Sequence, residues 1–175
     1  AASSMADPGA ASQAVMGQIG DAAARPEGLV VVDGHALAYR MHFALQQTGM
    51  TTRQGEATHA LHGFCTKLLD LHRRWPSHRM VVCFDLPGGS FARNEELPDY
   101  KANRPPMPSP LRHQITAMME ACELMGAPAL AAEGFEADDL IAACVAAARE
   151  HALPEVIVCS GDKDLLQLVK PQCLP

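Results

Sequence analysis

The sequence has no long apolar run. No stretch of 18 apolar residues occurs in it, so we predict no transmembrane helix and no membrane partner. It also has no pair of cysteines at C-x-x-C spacing, although six cysteines are scattered through it, mostly in apolar stretches. A zinc site is therefore not expected. We interpret the cysteines as small core residues of a reducing, intracellular protein.

A glycine-rich phosphate-binding loop is missing as well, because Gly88 and Gly89 are not followed by the Lys and Ser/Thr of a nucleotide-binding loop. The chemistry that we assign below to the acids needs no Ser-His-Asp or Cys-His arrangement. Ser160 lies beside several acids but has no paired base, so a turn or capping role is expected for it.

Positive charge is scarce, with 14 Lys and Arg against 20 Asp and Glu and a net charge of −6. Taken as a sum, this charge argues against a nucleic-acid partner. However, seven acids fall in short clusters that we assign below to metal binding, and without them 14 bases face 13 other acids. The remaining surface is then nearly neutral, and bound cations would offset much of the charge of the site.

Apolar runs alternate with helical patterns along the chain. This alternation predicts an α/β fold with a parallel sheet, formed by one domain over about 29–169. The first 28 residues, rich in Ala, Gly and Ser, are expected to be a disordered leader, and 170–175 a tail. Buried strands are predicted at 29–33, 80–85 and 156–159, a short strand at 129–132, and helices at 36–47, 57–75, 111–125, 136–152 and 162–169.

Acidic residues collect where the predicted strands end or where the following helices begin. Ligands of parallel sheets bind beyond these carboxyl ends. Each acid alone has a common alternative role as a helix cap, but seven like charges in one cleft repel unless a cation is present. Oxygen ligands without a His or Cys set favour Mg²⁺ or Mn²⁺, and a group of this size suits two ions roughly 3.5–4 Å apart. The candidate ligands are Asp33, Asp85, Glu136, Asp138, Asp139, Asp162 and Asp164.

The segment 90–110 differs from the rest, with five prolines and little apolar content. Lys101 and Arg104 share a face if they lie on one helical turn, so they could grip phosphates, and Tyr100 could stack on a base. Arg93 adds weak support. An ordinary exposed loop is the open alternative.

Three further residues have more than one possible role. Arg40, one helix length after Asp33, could face the same site or pair with an acid at the edge of the core. His59 and His62 lie three residues apart in a helical pattern, which favours a surface pair over a metal site.

The ordered motifs resemble one family. The motifs are Val32-Asp-Gly-His35 with Tyr39-Arg40, Phe84-Asp85, Tyr100-Lys-Ala-Asn-Arg104, Gly134-Phe-Glu-Ala-Asp-Asp139 and Asp162-Lys-Asp-Leu165. Together they resemble the 5′–3′ exonuclease domain at the N-terminus of bacterial DNA polymerase I and its free-standing flap endonuclease relatives. The resemblance covers roughly 29–169.

This resemblance implies a PIN-like, resolvase-like fold with a parallel sheet, helices on both faces and a helical arch at about 90–110. It implies that the seven acids are metal ligands or their near supports. It further implies that Lys101 and Arg104 belong to the arch through which a 5′ single strand passes, and that Lys101 neutralises charge on the scissile phosphate. The family removes RNA primers and 5′ flaps in DNA replication and repair.

The sequence departs from the family pattern in two places. Phe91 and Arg93 are separated by Ala92, where the family usually has Phe and Arg side by side, and a downstream aspartate pair and helix-hairpin-helix motif are not found. Three hypotheses follow: an active nuclease, a non-catalytic piece that binds metal and weakly DNA, and a small-molecule phosphohydrolase, which the arch-like segment disfavours. We expect little or no turnover from this chain by itself.

The expected partner is DNA with a 5′ flap or 5′ end, or an RNA primer–DNA hybrid, bound by a monomer. The expected location is the bacterial cytoplasm, or a plastid or mitochondrion in a eukaryote.

Overall fold

The computed structural model describes residues 26–86 and 106–169. The strands there are β1 (Gly28–Asp33), β2 (His78–Cys83), β3 (Ala129–Leu130) and β4 (Glu155–Cys159). The α-helices are α1 (Gly34–Leu45), α2 (His59–Arg74), α3 (Ser109–Leu124) and α4 (Ala137–Glu150), and 3₁₀ helices span Gln46–Thr48 and Lys163–Leu168.

The four strands form one parallel sheet in the order β3-β2-β1-β4. The chain adds β2 and then β3 on one side of β1, and it places β4 on the other side. The direction of strand addition therefore reverses between β1 and β4. In open α/β sheets, such a reversal opens a crevice at the carboxyl ends of the two strands, which is the usual ligand position.

Side chains of the central strands alternate between two cores. Leu29 and Val31 of β1 pack with α4 on one face, whereas Val30 and Val32 pack with α1, α2 and α3 on the other. Because helices cover both faces, β1 is apolar from Leu29 to Val32 and does not alternate between apolar and polar residues. The prediction of a parallel α/β sheet with helices on both faces is confirmed.

Some boundaries differ from those predicted. The strand β2 ends at Cys83, so Asp85 lies two residues beyond it and does not end it. The strand β3 has only two residues, and the last predicted helix is a 3₁₀ helix. The predicted stop of α3 at Gly126 is confirmed, with the glycine at φ +69° just after the cap residue Met125.

The expectation that His59 and His62 form a surface pair is wrong. His59 is buried, and its Nε2 lies 3.0 Å from Nδ1 of His42, which is also buried. His62 is exposed. Since α1 and α2 pack against each other, the face of α2 that carries His59 is covered by α1, and sequence spacing alone did not show this contact.

The cysteines in the described part of the chain behave as core residues. Cys83, Cys122 and Cys144 are buried, and Cys65 and Cys159 are half-buried. The hydrogen bond with Cys144, together with burial, raises the pKa of the Cys83 thiol, and burial raises the pKa of Cys122 to about 12. These thiols stay protonated at neutral pH, so they are poor metal ligands.

In the described segments, no helix combines the length and apolar character that crossing a membrane requires.

Candidate functional site

Asp33 occupies the last position of β1 and the cap position of α1. Its Oδ1 accepts the backbone N–H of Ala36 at 2.9 Å, and its Oδ2 accepts the hydroxyl of Ser160 at 2.7 Å. The first bond is the common capping role of an aspartate. The second joins the ends of β1 and β4, at the reversal point of the sheet.

Ser160 connects this position to the loop after β4. Its Oγ accepts the backbone N–H of Asp162 at 3.0 Å, and Oδ1 of Asp162 accepts the N–H of Asp164 at 2.9 Å. Asp162 is therefore the cap of the 3₁₀ helix that follows. The expected turn role of Ser160 is confirmed, and the bond to Asp33 adds a contact that the sequence did not predict.

Asp85 joins the end of β2 to the start of α4. Its Oδ1 accepts the backbone N–H of Ala137, the first residue of α4, at 2.7 Å. Its own backbone N–H donates to Nδ1 of His35 at 3.1 Å, and that nitrogen lies 3.8 Å from Asp85 Oδ2. In this arrangement Nδ1 accepts a hydrogen bond, so the neutral ring carries its proton on Nε2. The sequence assigned no role to His35.

Three predicted acids form the first turn of α4. Glu136 and Asp139 form a capping box, in which Asp139 Oδ2 accepts the Glu136 N–H at 3.1 Å. Asp138 Oδ1 accepts the N–H of Asp139 at 2.8 Å. Glu136 is buried, whereas the two aspartates are half-buried. The positive end of the helix dipole also stabilises carboxylates at this position.

Four of the seven predicted acids line one open cleft of about 120 Å³. They are Asp138 and Asp139 from α4, and Asp162 and Asp164 from the loop and 3₁₀ helix after β4. The cleft lies beyond the carboxyl ends of the strands, as predicted. The cleft is not lined by the other three predicted acids, Asp33, Asp85 and Glu136. Asp33 is linked to its residues by the hydrogen bond from Ser160, and Asp85 by the hydrogen bond from the N–H of Ala137.

The donor set of this cleft consists of carboxylate oxygens. Within the two described ranges, no lysine or arginine pairs with Asp33, Asp162 or Asp164. In the same ranges, no three His, Cys, Asp or Glu side chains converge closely enough to hold a single ion. Such an open set of hard oxygen ligands fits cations that keep several of their waters, as Mg²⁺ does. None of the described residues that line the cleft is His or Cys, the ligands most typical of a structural zinc site.

The predicted basic residues are mostly outside the described part of the chain. This holds for Arg93, Tyr100, Lys101 and Arg104, and for the predicted arch that contains them. Arg40 is described, and it lies exposed on α1.

A larger cleft, of about 330 Å³, lies at the opposite end of the sheet. It is lined mainly by apolar residues such as Leu68, Met80 and Met125, next to the first residues of β2. No acid lines it. The four aspartates that share a cleft therefore lie at the other end of the sheet from this apolar cleft.

The fold and the site together define a parallel α/β domain with an acidic cleft at its strand reversal. A family profile described as the N-terminal resolvase-like domain of 5′–3′ exonucleases matches residues 28–174. The chain therefore belongs to this family of 5′–3′ exonuclease domains.

Curated relatives are much longer than this chain. DNA polymerase I of Pseudomonas aeruginosa is 40% identical over 141 residues, which cover 81% of this chain and 15% of that protein. The thermostable DNA polymerase I of Thermus thermophilus is 39% identical over 145 residues, which cover 82% of this chain and 17% of that protein. The chain thus spans less than a fifth of the length of these relatives.

Solved structures share the fold. A T5 protein co-crystallised with metal ions matches with a TM-score of 0.62 and 21% identity, over 82% of this chain and 52% of that one. A bacteriophage T5 flap endonuclease, in a pseudo-enzyme–product complex with DNA and metal ions, matches with a TM-score of 0.57 and 23% identity over the same shares. At these identities the likeness establishes the resolvase-like fold.

Proposed function

We propose that this chain forms the metal-binding part of a 5′–3′ exonuclease and 5′-flap endonuclease that hydrolyses DNA phosphodiester bonds. The observation that carries the proposal is the cleft shared by Asp138, Asp139, Asp162 and Asp164, beyond the carboxyl ends of the sheet. The family of the chain and the DNA-bound phage T5 endonuclease of the same fold support it.

The cofactor that suits this cleft is a divalent cation, Mg²⁺ with Mn²⁺ as a substitute. Its donors are the carboxylates of four aspartates. Two bound cations would supply charge neutralisation at the phosphodiester and activation of the attacking water. The metal-bound T5 protein of the same fold supports a divalent metal without deciding which one.

The residues of the chain divide into ligands and supports. Asp138, Asp139, Asp162 and Asp164 face the cleft and are the proposed ligands or holders of ligand waters. Asp138, Asp139 and Asp162 each accept a backbone N–H through one carboxylate oxygen, and a carboxylate has about four lone-pair sites in all. The proposed ligands Asp33 and Asp85 have fixed orientations, and Glu136 is a buried support at the cap of α4.

Substrate contacts are proposed for the basic residues. Lys101 would neutralise the scissile phosphate, and Arg104 would grip the backbone of a 5′ strand that passes through an arch. Tyr100 would stack on a base, with Arg93 and Arg40 as further phosphate contacts. Cations in the cleft would also reduce the repulsion between the acids and a polyanionic strand.

The proposed substrates are DNA with a 5′ flap or 5′ end and RNA primer–DNA hybrids. Their cleavage would serve primer removal, Okazaki-fragment processing and repair. The proposed molecule acts as an intracellular monomer.

The test is cleavage of an end-labelled 5′-flap DNA with Mg²⁺, by wild type and by an Asp138→Asn plus Asp139→Asn double variant. Asparagine keeps a cap acceptor but loses the charge, so helix α4 should persist. We expect the double variant to lose roughly 100-fold or more in rate, because cation-held charge stabilisation is a large part of phosphoryl transfer. Because we expect little turnover from this chain, the assay uses protein in excess over DNA, so that a single round of cleavage can be measured.

A matched control is Asp70→Asn, which removes an exposed carboxylate of α2 that pairs with Arg73. Its cleavage should equal that of wild type. Unchanged cleavage in the double variant would refute the metal assignment. Cleavage of a small phosphodiester with no cleavage of flap DNA would favour the small-molecule phosphohydrolase instead.

A further inference from the structure

Ser160 sits at the reversal point of the sheet. Val32 of β1 is paired with Cys159 of β4, so the next residues along the two strands, Asp33 and Ser160, lie side by side. Oγ of Ser160 donates to Asp33 Oδ2 at 2.7 Å and accepts the N–H of Asp162 at 3.0 Å. One hydroxyl therefore connects two predicted metal-site segments that are 127 positions apart at the point of contact.

The two bonds constrain both segments. Asp33 Oδ1 is held by the N–H of Ala36, so with Ser160 on Oδ2 the plane of the carboxylate cannot rotate freely. The backbone N–H of Asp162 donates to Ser160 Oγ, and Asp162 Oδ1 accepts the N–H of Asp164. A continuous chain of hydrogen bonds thus runs from the end of β1 to the two aspartates after β4.

A turn role alone does not account for this geometry. A serine that only stabilised its turn would need the bond to the N–H two residues on, which Ser160 makes to Asp162. The shorter bond to Asp33 is an additional, long-range contact to a carboxylate, and bonds to charged acceptors are among the stronger ones.

We infer that Ser160 is a positioning residue for the metal-binding carboxylates, orienting Asp33 and the Asp162–Asp164 loop relative to each other. This inference rests on the proposed function. Hydrogen-bonding partners of ligating carboxylates orient them, and their loss commonly weakens metal binding. Ser160 itself need not touch the cation or the DNA.

The experiment measures Mn²⁺ binding to the whole 175-residue chain by the electron paramagnetic resonance signal of free Mn²⁺. For Ser160→Ala we expect an increase in Kd on the order of 10-fold, the low end for loss of such a partner. Ser160→Thr keeps the hydroxyl and should bind as wild type does. The control Thr66→Ala removes an exposed hydroxyl that bonds His62 O on α2, and it should leave the Kd unchanged.

Thermal unfolding in EDTA separates positioning from simple stabilisation. If Ser160→Ala lowers Tm without changing the Kd for Mn²⁺, the serine only stabilises its turn and the inference is overturned. Should the alanine variant fail to fold, Ser160→Cys keeps the size but is a weak donor, so the same loss of Mn²⁺ affinity is expected. A folded cysteine variant with wild-type affinity would equally overturn the inference.

The Asp138→Asn plus Asp139→Asn variant distinguishes this inference from the proposed function. If that variant loses Mn²⁺ binding while Ser160→Ala keeps it, the metal site stands and only the role of Ser160 fails. If the wild-type chain itself binds no Mn²⁺, both proposals fail.

Discussion

At the scale of single residues, the acids of the candidate site combine an observed capping role with the proposed role in metal binding. Asp33 and Asp162 cap helices, and Asp139 is part of a capping box, which is the ordinary role predicted for each taken alone. The capping bonds do not compete with metal binding. They use one lone pair of a carboxylate oxygen and orient the remaining ones. Capping is therefore a means of preorganising ligands on rigid elements.

The buried imidazole pair provides a prediction of pH dependence. Burial and the neighbouring His59 lower the pKa of His42 in the folded state. The unfolded chain then binds more protons than the folded one at mildly acidic pH, so stability falls as pH drops below the ordinary histidine pKa of about 6.5. The stability that the neutral His42 ring contributes should be fully present above that pH.

The measurement is the urea midpoint at several pH values between about 5 and 8, the range of histidine titration. We expect His42→Phe to flatten the pH dependence relative to wild type, because the buried titrating group is gone. His62→Gln, a change at an exposed histidine of α2, should keep the wild-type slope. Equal slopes for wild type and His42→Phe would contradict the prediction.

At the scale of elements, helix ends bring the site together. Asp85, two residues beyond the end of β2, accepts the N–H of Ala137, the first residue of α4, which lies 52 positions later in the chain. This contact holds the first turn of α4, with Asp138 and Asp139, against the carboxyl end of the sheet. A long-range hydrogen bond of this kind ties the position of the proposed ligands to the packing of the sheet.

The end of α3 gives a prediction about stability. Gly126 has φ +69° and the N–H of Ala127 donates to Cys122 O at 2.9 Å, which is a Schellman arrangement. Gly126→Ala should destabilise the fold by about 1 kcal/mol, since an L-residue with a Cβ is strained in the left-handed region. Gly126→Asn should cost less because asparagine tolerates that region better.

Urea denaturation followed by circular dichroism checks this value. Gly161→Ala is the matched control, because Gly161 has open space around it and no positive φ. Its free energy of unfolding should stay near that of wild type. If Gly126→Ala and Gly161→Ala had the same free energy of unfolding, the left-handed conformation of Gly126 would not contribute to stability.

At the scale of the whole molecule, the net charge of −6 and the location of the acids should make the stability of the chain depend on bound cations. Like charges at the strand reversal repel in the folded state, and the unfolded chain relieves this repulsion. A cation that binds the folded cleft should therefore stabilise the entire chain, since it binds the native state and not the unfolded one.

We expect Mg²⁺ or Mn²⁺ to raise Tm, with a gain near 2.7 kcal/mol in free energy of unfolding at about 100 times Kd for one site. Na⁺ at matched ionic strength should not produce this gain. The Asp162→Asn plus Asp164→Asn variant should lose most of the stabilisation, whereas Asp70→Asn should keep it. Differential scanning calorimetry with the cation and with EDTA measures the change in Tm for wild type and for each variant. An equal change in Tm for all of them would show that the cation binds outside the acidic cleft.

Much of the fold was predictable because its signals are local. The buried strands are short apolar runs, and Gly126 marks a helix stop by its conformational freedom. The placement of Asp138, Asp139, Asp162 and Asp164 beyond the carboxyl ends followed from the general rule for parallel sheets. The family resemblance rested on motifs within these same segments, and the family match confirmed it.

The sequence by itself determined which segments are strands and helices, and which acids follow the strands. Tertiary structure alone decided that β4 lies beside β1, that Ser160 bonds Asp33, that Asp85 caps α4, and that His42 meets His59. The physical reason is that these contacts join segments far apart in the chain. The order of the strands depends on how the helices cover both faces of the sheet, and a local sequence pattern does not predict that order.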